Sequence, residues 1–199
     1  TNPSRVTRQN HGLSIGLRTG HMRNIITQEF ALLLNRLVKA PRLSLEPLVA
    51  AHAGILFDAL CDKRIYRWIE AGGPRDLTQL RQKWQRNETR LSPDGKEIRL
   101  NWAIRLDNEG PYIGKLDAEL NSPINVTNIG FVFFPQYWGN GYATEALLAV
   151  IGALRINGIS SMRATVATPN IASAHVLEKA GFVRGNLVAD EIDTYEFTL

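Results

Sequence analysis

Apolar spacing divides the chain into helical and extended stretches. Ile26, Phe30, Leu33, Leu34 and Leu37 recur at the 3.6-residue period, predicting an amphipathic helix over 25–39. Pro41 interrupts it, and strict alternation follows over 42–48, where Leu43 and Leu45 flank Ser44, the mark of a short strand. A helical pattern returns over 49–61. Asp76 can cap a second helix running to about Asn87, with Gln79 completing a capping box and Leu77, Leu80 and Trp84 on one face. Turn residues at Ser92-Pro93-Asp94-Gly95 lead into three strand-like runs, 98–106, 112–120 and 124–134, whose short connections imply an antiparallel meander. A strong helix is predicted over 142–156, a strand over 162–167, a short helix over 172–179 and one or two strands to the end. The order places the chain in the α/β (α+β) class.

Length and charge refine that map. The chain has 199 residues, 44% of them apolar and 21% charged, which suits one folded domain rather than disorder or a coiled coil. Residues 1–40 read as an N-terminal extension and 41–199 as the domain. The net charge of +4 is unevenly spread. Residues 1–42 hold seven basic side chains against Glu29 alone, whereas 43–199 hold 16 basic and 18 acidic ones. A slightly acidic body argues against nucleic acid bound over a broad basic face. Residues 1–22 read as an arm, a transit-like segment or a tag joined at Gly20-His21-Met22. No apolar run is long enough to span a membrane and no secretory signal is recognised, so a cytoplasmic location is expected, with no membrane partner. Cys61, the one cysteine, reads as a small buried apolar residue, and without close His or Cys pairs no metal site is expected.

The segment 131–146 carries the chemistry. A strand meets Pro135, a turn with Gly139 and Gly141 follows, and a helix starts at once. Glycines let the backbone approach an anion, and the first N–H groups of a helix lack intrahelical partners, so they can point at it with the helix dipole behind them. The dinucleotide pattern fails because Thr144 stands at its sixth position, and no P-loop Gly-Lys-Ser/Thr occurs.

The string Trp138-Gly139-Asn140-Gly141-Tyr142-Ala143 resembles the Gln/Arg-x-x-Gly-x-Gly/Ala acyl-CoA segment of the GNAT N-acetyltransferases, with Trp138 at the Gln/Arg position as in the Rim-type branch. Asn170, Ser173, Glu178, Lys179, Gly181 and Phe182 match a second block of that family, and Arg42 to Leu48 resembles its first strand. The resemblance covers about 41–199. It implies the GNAT fold: a mixed, mostly antiparallel sheet of six to seven strands flanked by helices, its fourth and fifth strands splayed. It also implies acetyl-CoA as co-substrate and an amine acceptor, a small molecule or a protein N-terminus, with homodimerisation allowed. Backbone groups around Phe133 would pair with the pantetheine arm. N–H groups from Trp138, Gly139, Asn140, Gly141, Tyr142 and Ala143, with the Thr144 hydroxyl, would hold the pyrophosphate. Asn170 would contact pantetheine, and Ser173 would protonate the departing thiolate.

Two departures bear on catalysis. Leu177 occupies the position of the family's acidic tyrosine, and Asn128 that of its glutamate base. Asp117 and Glu119 on the neighbouring strand are the leading replacements, followed by Glu191, His175 and His52. The acceptor would lie between the 62–73 loop, with Tyr66, Trp68 and Glu70, and the 187–195 hairpin, whose Asp190, Glu191 and Asp193 would suit a cationic amine. The expected activity is direct acetyl transfer to a primary amine. The alternative is an acyl-CoA-binding protein without turnover, and a third reading makes 1–39 a docking arm.

Overall fold

The computed structural model describes residues 26–107, 109–189 and 191–198. Its elements in chain order are α1 (Gln28–Leu34), β1 (Val38–Lys39), β2 (Leu43–Pro47), α2 (His52–Leu60), α3 (Leu77–Asn87), β3 (Ile98–Leu106), β4 (Tyr112–Leu120), β5 (Asn125–Phe133), α4 (Tyr142–Ile156), β6 (Ser161–Ala167), α5 (Ile171–Lys179), β7 (Val183–Ala189) and β8 (Ile192–Thr198). A 3₁₀ segment, Lys63–Trp68, follows α2, and another, Pro135–Tyr137, follows β5. The eight strands form one sheet in the order β1-β2-β3-β4-β5-β6-β8-β7. Every neighbouring pair is antiparallel except β5 and β6, which run parallel. This is the mixed, mostly antiparallel, helix-flanked sheet expected, with β1 as an added edge strand. Among the described residues no helix is long and apolar enough to cross a membrane.

Side-chain alternation sorts the core into two clusters. Ile98, Leu100, Trp102 and Ile104 of β3 pack with Ala31 and Leu34 of α1 and with Ala146, Leu147 and Val150 of α4. Ala103 turns the other way and joins Leu56, Leu60, Leu80, Trp84 and Phe134. Each fully buried large apolar side chain contributes on the order of 1.5–3 kcal/mol relative to exposure. Helix starts follow their polar caps: Thr27 Oγ1 accepts the Phe30 N–H at 3.2 Å, and Asp76 Oδ1 accepts the Gln79 N–H at 2.8 Å.

The helix predicted over 25–39 stops at Leu34. Asn35 leaves the helix to bond across the sheet. Its Nδ2 donates to the Asn101 carbonyl at 3.1 Å, and its Oδ1 accepts the Asn101 N–H at 3.3 Å. Val38 and Lys39 then pair with Leu45 and Ser44 as β1. Leu33 and Leu37, placed on the buried stripe by the period alone, are 37% and 51% exposed, whereas Ala31 and Leu34 are buried. The Trp102 indole N–H donates to the Arg36 carbonyl at 2.9 Å. Residues 26–40 thus share the core and the sheet of the residues that follow. Cys61, expected to be buried, is exposed.

Candidate active site

A parting of two strands makes the site. β5 and β6 pair only at Asn125↔Ser161 and Val126↔Met162, and then diverge. β5 stays with β4 as far as Phe133↔Gly114, and β6 stays with β8 along its length. The gap opens into a cleft of about 1820 Å³. Backbone groups alternate in direction along an antiparallel pair. The Val132 carbonyl faces Gly114 on β4, so Phe131 and Phe133 direct their polar backbone groups into the gap. One of these already has a donor: Trp138 Nε1–H donates to the Phe133 carbonyl at 2.6 Å. The indole therefore stands where the resemblance places a pantetheine amide.

The glycine turn closes one end. Gly139 and Gly141 have φ of 76° and 77°, the left-handed region that penalises a Cβ by roughly 1–2 kcal/mol. Gly141 is the N-cap of α4 and supplies no side chain, so the N–H groups of Tyr142, Ala143 and Thr144 begin a helix without intrahelical acceptors. Gly139, Gly141, Tyr142, Ala143, Thr144, Trp138 and Phe133 all line the cleft. Asn140 does not; its side-chain amide ties the turn by donating to the carbonyls of Tyr137 and Trp138 at 3.1 and 3.0 Å.

Arg42, quoted from sequence only as part of a strand motif, braces this turn from outside. Its backbone N–H and Nε donate to the two oxygens of Glu145 at 2.7 Å each, and Nη1 donates to the Asn140 carbonyl at 3.2 Å. Its guanidinium lies 4.5 Å from the Tyr142 ring centroid. The partners are about a hundred residues apart in the chain, and no local pattern announces the contact.

α5 supplies the facing wall. Asn170 Oδ1 caps the helix by accepting the Ser173 N–H at 3.3 Å. Asn170, Ser173, His175 and Leu177 line the cleft, but Leu177 is almost fully buried and belongs to the core.

Strand register builds the floor. Arg99↔Glu119 and Asn101↔Asp117 pair across β3 and β4, and Glu119↔Asn128 and Asp117↔Gly130 pair across β4 and β5. Asp117 and Glu119 are therefore brought together on one face beside Asn128 and the bare backbone of Gly130. The Lys115 ammonium forms an ion pair with Asp117. Opposite stand Gln79, Lys83, Arg86 and Asn87 of α3, with Tyr66, Trp68 and Glu70 from the preceding segment. Burial raises the pKa of the Tyr66 phenol, and the neighbouring Cys61 adds to this, so the group is a proton donor rather than an acceptor.

Of the acidic hairpin expected at the acceptor end, residues 191–195 do not line the cleft. Asp193 is 3% exposed and accepts from Arg184 Nη2 at 2.7 Å, so its charge is spent within the fold. Glu191 lies at the turn with φ of 67°, outside the cleft, and Asp190 lies outside the described residues.

His52 also sits elsewhere. Its ring meets Tyr112 edge-on at 5.3 Å, its Nδ1 accepts the Val49 N–H at 3.0 Å, and its Nε2 lies 3.5 Å from Glu46. Glu46 accepts from Tyr112 Oη at 2.7 Å and from Arg105 Nη1 at 3.4 Å. Partial burial pushes the Glu46 carboxyl up, but hydrogen bonds from Tyr112, His52 and Arg105 together bring it below the ordinary value. Burial first, then the hydrogen bond to Glu46 and the Glu46 charge, push the Tyr112 phenol up to about 12. Among the described residues no cluster of His, Cys, Asp and Glu could hold a metal ion.

Comparison with known proteins agrees with this architecture. A search of curated proteins found no match. Among solved structures, a GNAT-family acetyltransferase from Bacillus anthracis is 21% identical, with 82% of this chain and 98% of that one covered and a TM-score of 0.66. RimL, a ribosomal L7/L12 alpha-N-protein acetyltransferase solved with coenzyme A, is 18% identical over 82% and 98% of the two chains, with a TM-score of 0.65. The Vibrio cholerae spermidine N-acetyltransferase, solved with CoA and spermine, is 16% identical over 79% and 95%, with a TM-score of 0.64. The family model for the acetyltransferase (GNAT) domain matches residues 42–183, so this chain belongs to the GNAT acetyltransferases.

Proposed function

We propose that this protein transfers the acetyl group of acetyl-CoA to the nitrogen of a primary amine by direct attack. The observation that carries the reading is the parting of β5 from β6 after two residue pairs, with the uncapped start of α4 at its mouth. Backbone N–H groups of Tyr142, Ala143 and Thr144, with the glycines before them, would hold the pyrophosphate. Backbone groups of Phe131 and Phe133 would receive the pantetheine arm once the Trp138 indole gives up the Phe133 carbonyl, and Asn170 lines the same wall. CoA in the RimL and spermidine acetyltransferase structures supports the choice of cofactor.

The neutral amine attacks the thioester carbonyl carbon. The nitrogen loses a proton, the C–S bond breaks, and the thiolate takes a proton to leave as CoA. Glu119 and Asp117, carboxylates in the cleft floor, would accept the amine proton, and Ser173, on the facing wall, would protonate sulfur. Backbone N–H groups in the gap polarise the carbonyl. No covalent enzyme intermediate is needed.

Isothermal titration with acetyl-CoA and thiol release over a panel of amines test this reading together. Heat at tens of micromolar with thiol release on at least one amine is the expected result. Absence of heat overturns the cofactor assignment. Binding without turnover on any amine moves the protein to the acyl-CoA-sensing alternative, which Leu177 in place of an acidic tyrosine favours.

A further inference from the structure

Two arginines are unusually placed, Arg99 in the cleft lining and Arg90 buried behind it. Leu91 bridges Ile98, Ser92 N–H donates to the Glu97 carbonyl at 2.8 Å, and Arg99 N–H donates to the Arg90 carbonyl at 2.8 Å. This short antiparallel ladder sets Arg90 opposite Arg99, and like charges in that relation destabilise a sheet. Arg90 is only 3% exposed. Among the described residues its guanidinium makes one hydrogen bond, from Nη1 to the Asn87 carbonyl at 3.3 Å, and the Nε atoms of both arginines are buried without a partner. Taking a guanidinium out of water without full pairing is unfavourable to the fold.

The carboxylates around the pair offset only part of this charge: burial lowers the Arg90 pKa, and the Glu88 charge opposes that without cancelling it. Glu88 accepts the Ala50 N–H at 2.8 Å. Glu97 meets one terminal nitrogen of Arg99 at 3.2 Å, in a partly buried contact that leaves Nε unbonded. Glu119 stands opposite Arg99 on β4 with no ion pair between them. Residues 1–25 contain no aspartate or glutamate at all. Arg99 lines the cleft beside Arg86, Asn87 and Asn101, and Lys83 faces the same space from α3. The cleft therefore has carboxylates in its floor and a cationic corner next to them.

We infer that the corner formed by Arg99, Arg86 and the buried Arg90 is an oxyanion subsite, so that the acceptor is a primary amine that also carries a carboxylate or phosphate group. The inference rests on the proposed acetyl transfer to an amine. The amine lies over Glu119 and Asp117, and the anionic group of the same molecule bonds Arg99 and Arg86. Arg90 is a positioning residue: it holds positive potential behind Arg99 and does not touch the acceptor. This reverses the cationic acceptor expected from the sequence.

The test uses the full chain saturated with CoA, titrated with β-alanine, phosphoethanolamine, ethylamine and putrescine. The first two carry a carboxylate and a phosphate, and their difference identifies the oxyanion source. At least one of them binds about tenfold more tightly than ethylamine or putrescine, the scale of one charge-assisted hydrogen bond. Added salt weakens the preference. Arg99→Gln abolishes it and leaves the Kd for CoA unchanged. Arg90→Met separates a structural role from a ligand-directed one: Tm holds or rises while the preference falls at least threefold. Equal binding of the four amines, tighter binding of putrescine, no binding of either anionic amine at millimolar concentration, or a preference that survives Arg99→Gln overturns the inference. So does a lower Tm with the preference intact in Arg90→Met. A wild-type protein that gives no heat with CoA overturns the proposed function instead.

Discussion

The two limbs of the cleft are made of different material. The β5–β6–α4 limb is lined by backbone: two glycines with positive φ, the first N–H groups of a helix, and the polar groups of a strand that has lost its neighbour. The α3–β3–β4 limb is lined by side chains, among them Lys83, Arg86, Arg99, Lys115, Asp117 and Glu119. A backbone site constrains which residues must be absent, so it leaves a short, position-specific signature. A side-chain site depends on which residues face each other across strands and helices, and its chemistry can change while the fold stays the same. The first limb reads as common to a cofactor and the second as particular to an acceptor.

Floor carboxylates give the largest expected effect. Glu119→Gln lowers kcat by about 100-fold, the lower end of general-base effects, while the Kd for CoA stays within twofold. Asp117→Asn, whose partner Lys115 already engages the carboxylate, lowers kcat by about tenfold. Loss of CoA binding in either variant would break the division between limbs.

Glycine substitutions sharpen it next. Gly141→Ala puts a methyl at φ 77° in the helix N-cap and raises the Kd for CoA by at least about tenfold, from roughly 1–2 kcal/mol of strain and a blocked approach. Gly130→Ala adds a methyl that meets nothing within 4 Å, on the floor beside Asp117. It changes the acceptor KM and leaves CoA binding alone. Titration calorimetry and steady-state kinetics on the two variants give the contrast directly.

The smallest effect lies outside both limbs, in the Glu46 cluster. The Glu46 carboxyl titrates lower in the folded chain than in the unfolded one, so its contribution is full above the ordinary carboxylate range and is lost as pH falls through the depressed value. The Tyr112 phenol titrates near 12 when folded, against about 10 unfolded, so its contribution is full below pH 10 and is lost as pH rises towards 12. Tyr112→Phe flattens the alkaline limb of the Tm profile and costs on the order of 1 kcal/mol at neutral pH, with CoA binding unchanged.

Legibility in the sequence followed the same division. The ends of β3, β4 and α4 were readable to the residue, because strict alternation and a clean helical stripe meet turn residues at their ends. α1 was overextended because Leu33 and Leu37 keep the helical period although Asn35 breaks the helix for a tertiary bond. The glycine turn was readable from Gly139 and Gly141. Arg42 on Glu145 was not, since it depends on distant chain segments meeting, and neither were Trp138 on the Phe133 carbonyl and Arg90 opposite Arg99, since these depend on the path of the intervening turn. Asp193 shows the converse: a carboxylate in a turn-rich segment reads as a solvated charge, whereas the fold buries it against Arg184.

The segment before β2 has a consequence for solubility. β2 covers β3 only from Trp102 onward, and the Asn35 side chain bonds both backbone groups of Asn101 just beyond that cover. Two residues of β1 then shield β2 itself. A chain shortened to begin at the family-matched region would leave the β2 edge opposite β1 and the Asn101 N–H open to an extended peptide or to a second copy of itself. On this view α1 and β1 are a guard against edge-to-edge growth, and the seven residues of the helix keep the sheet finite.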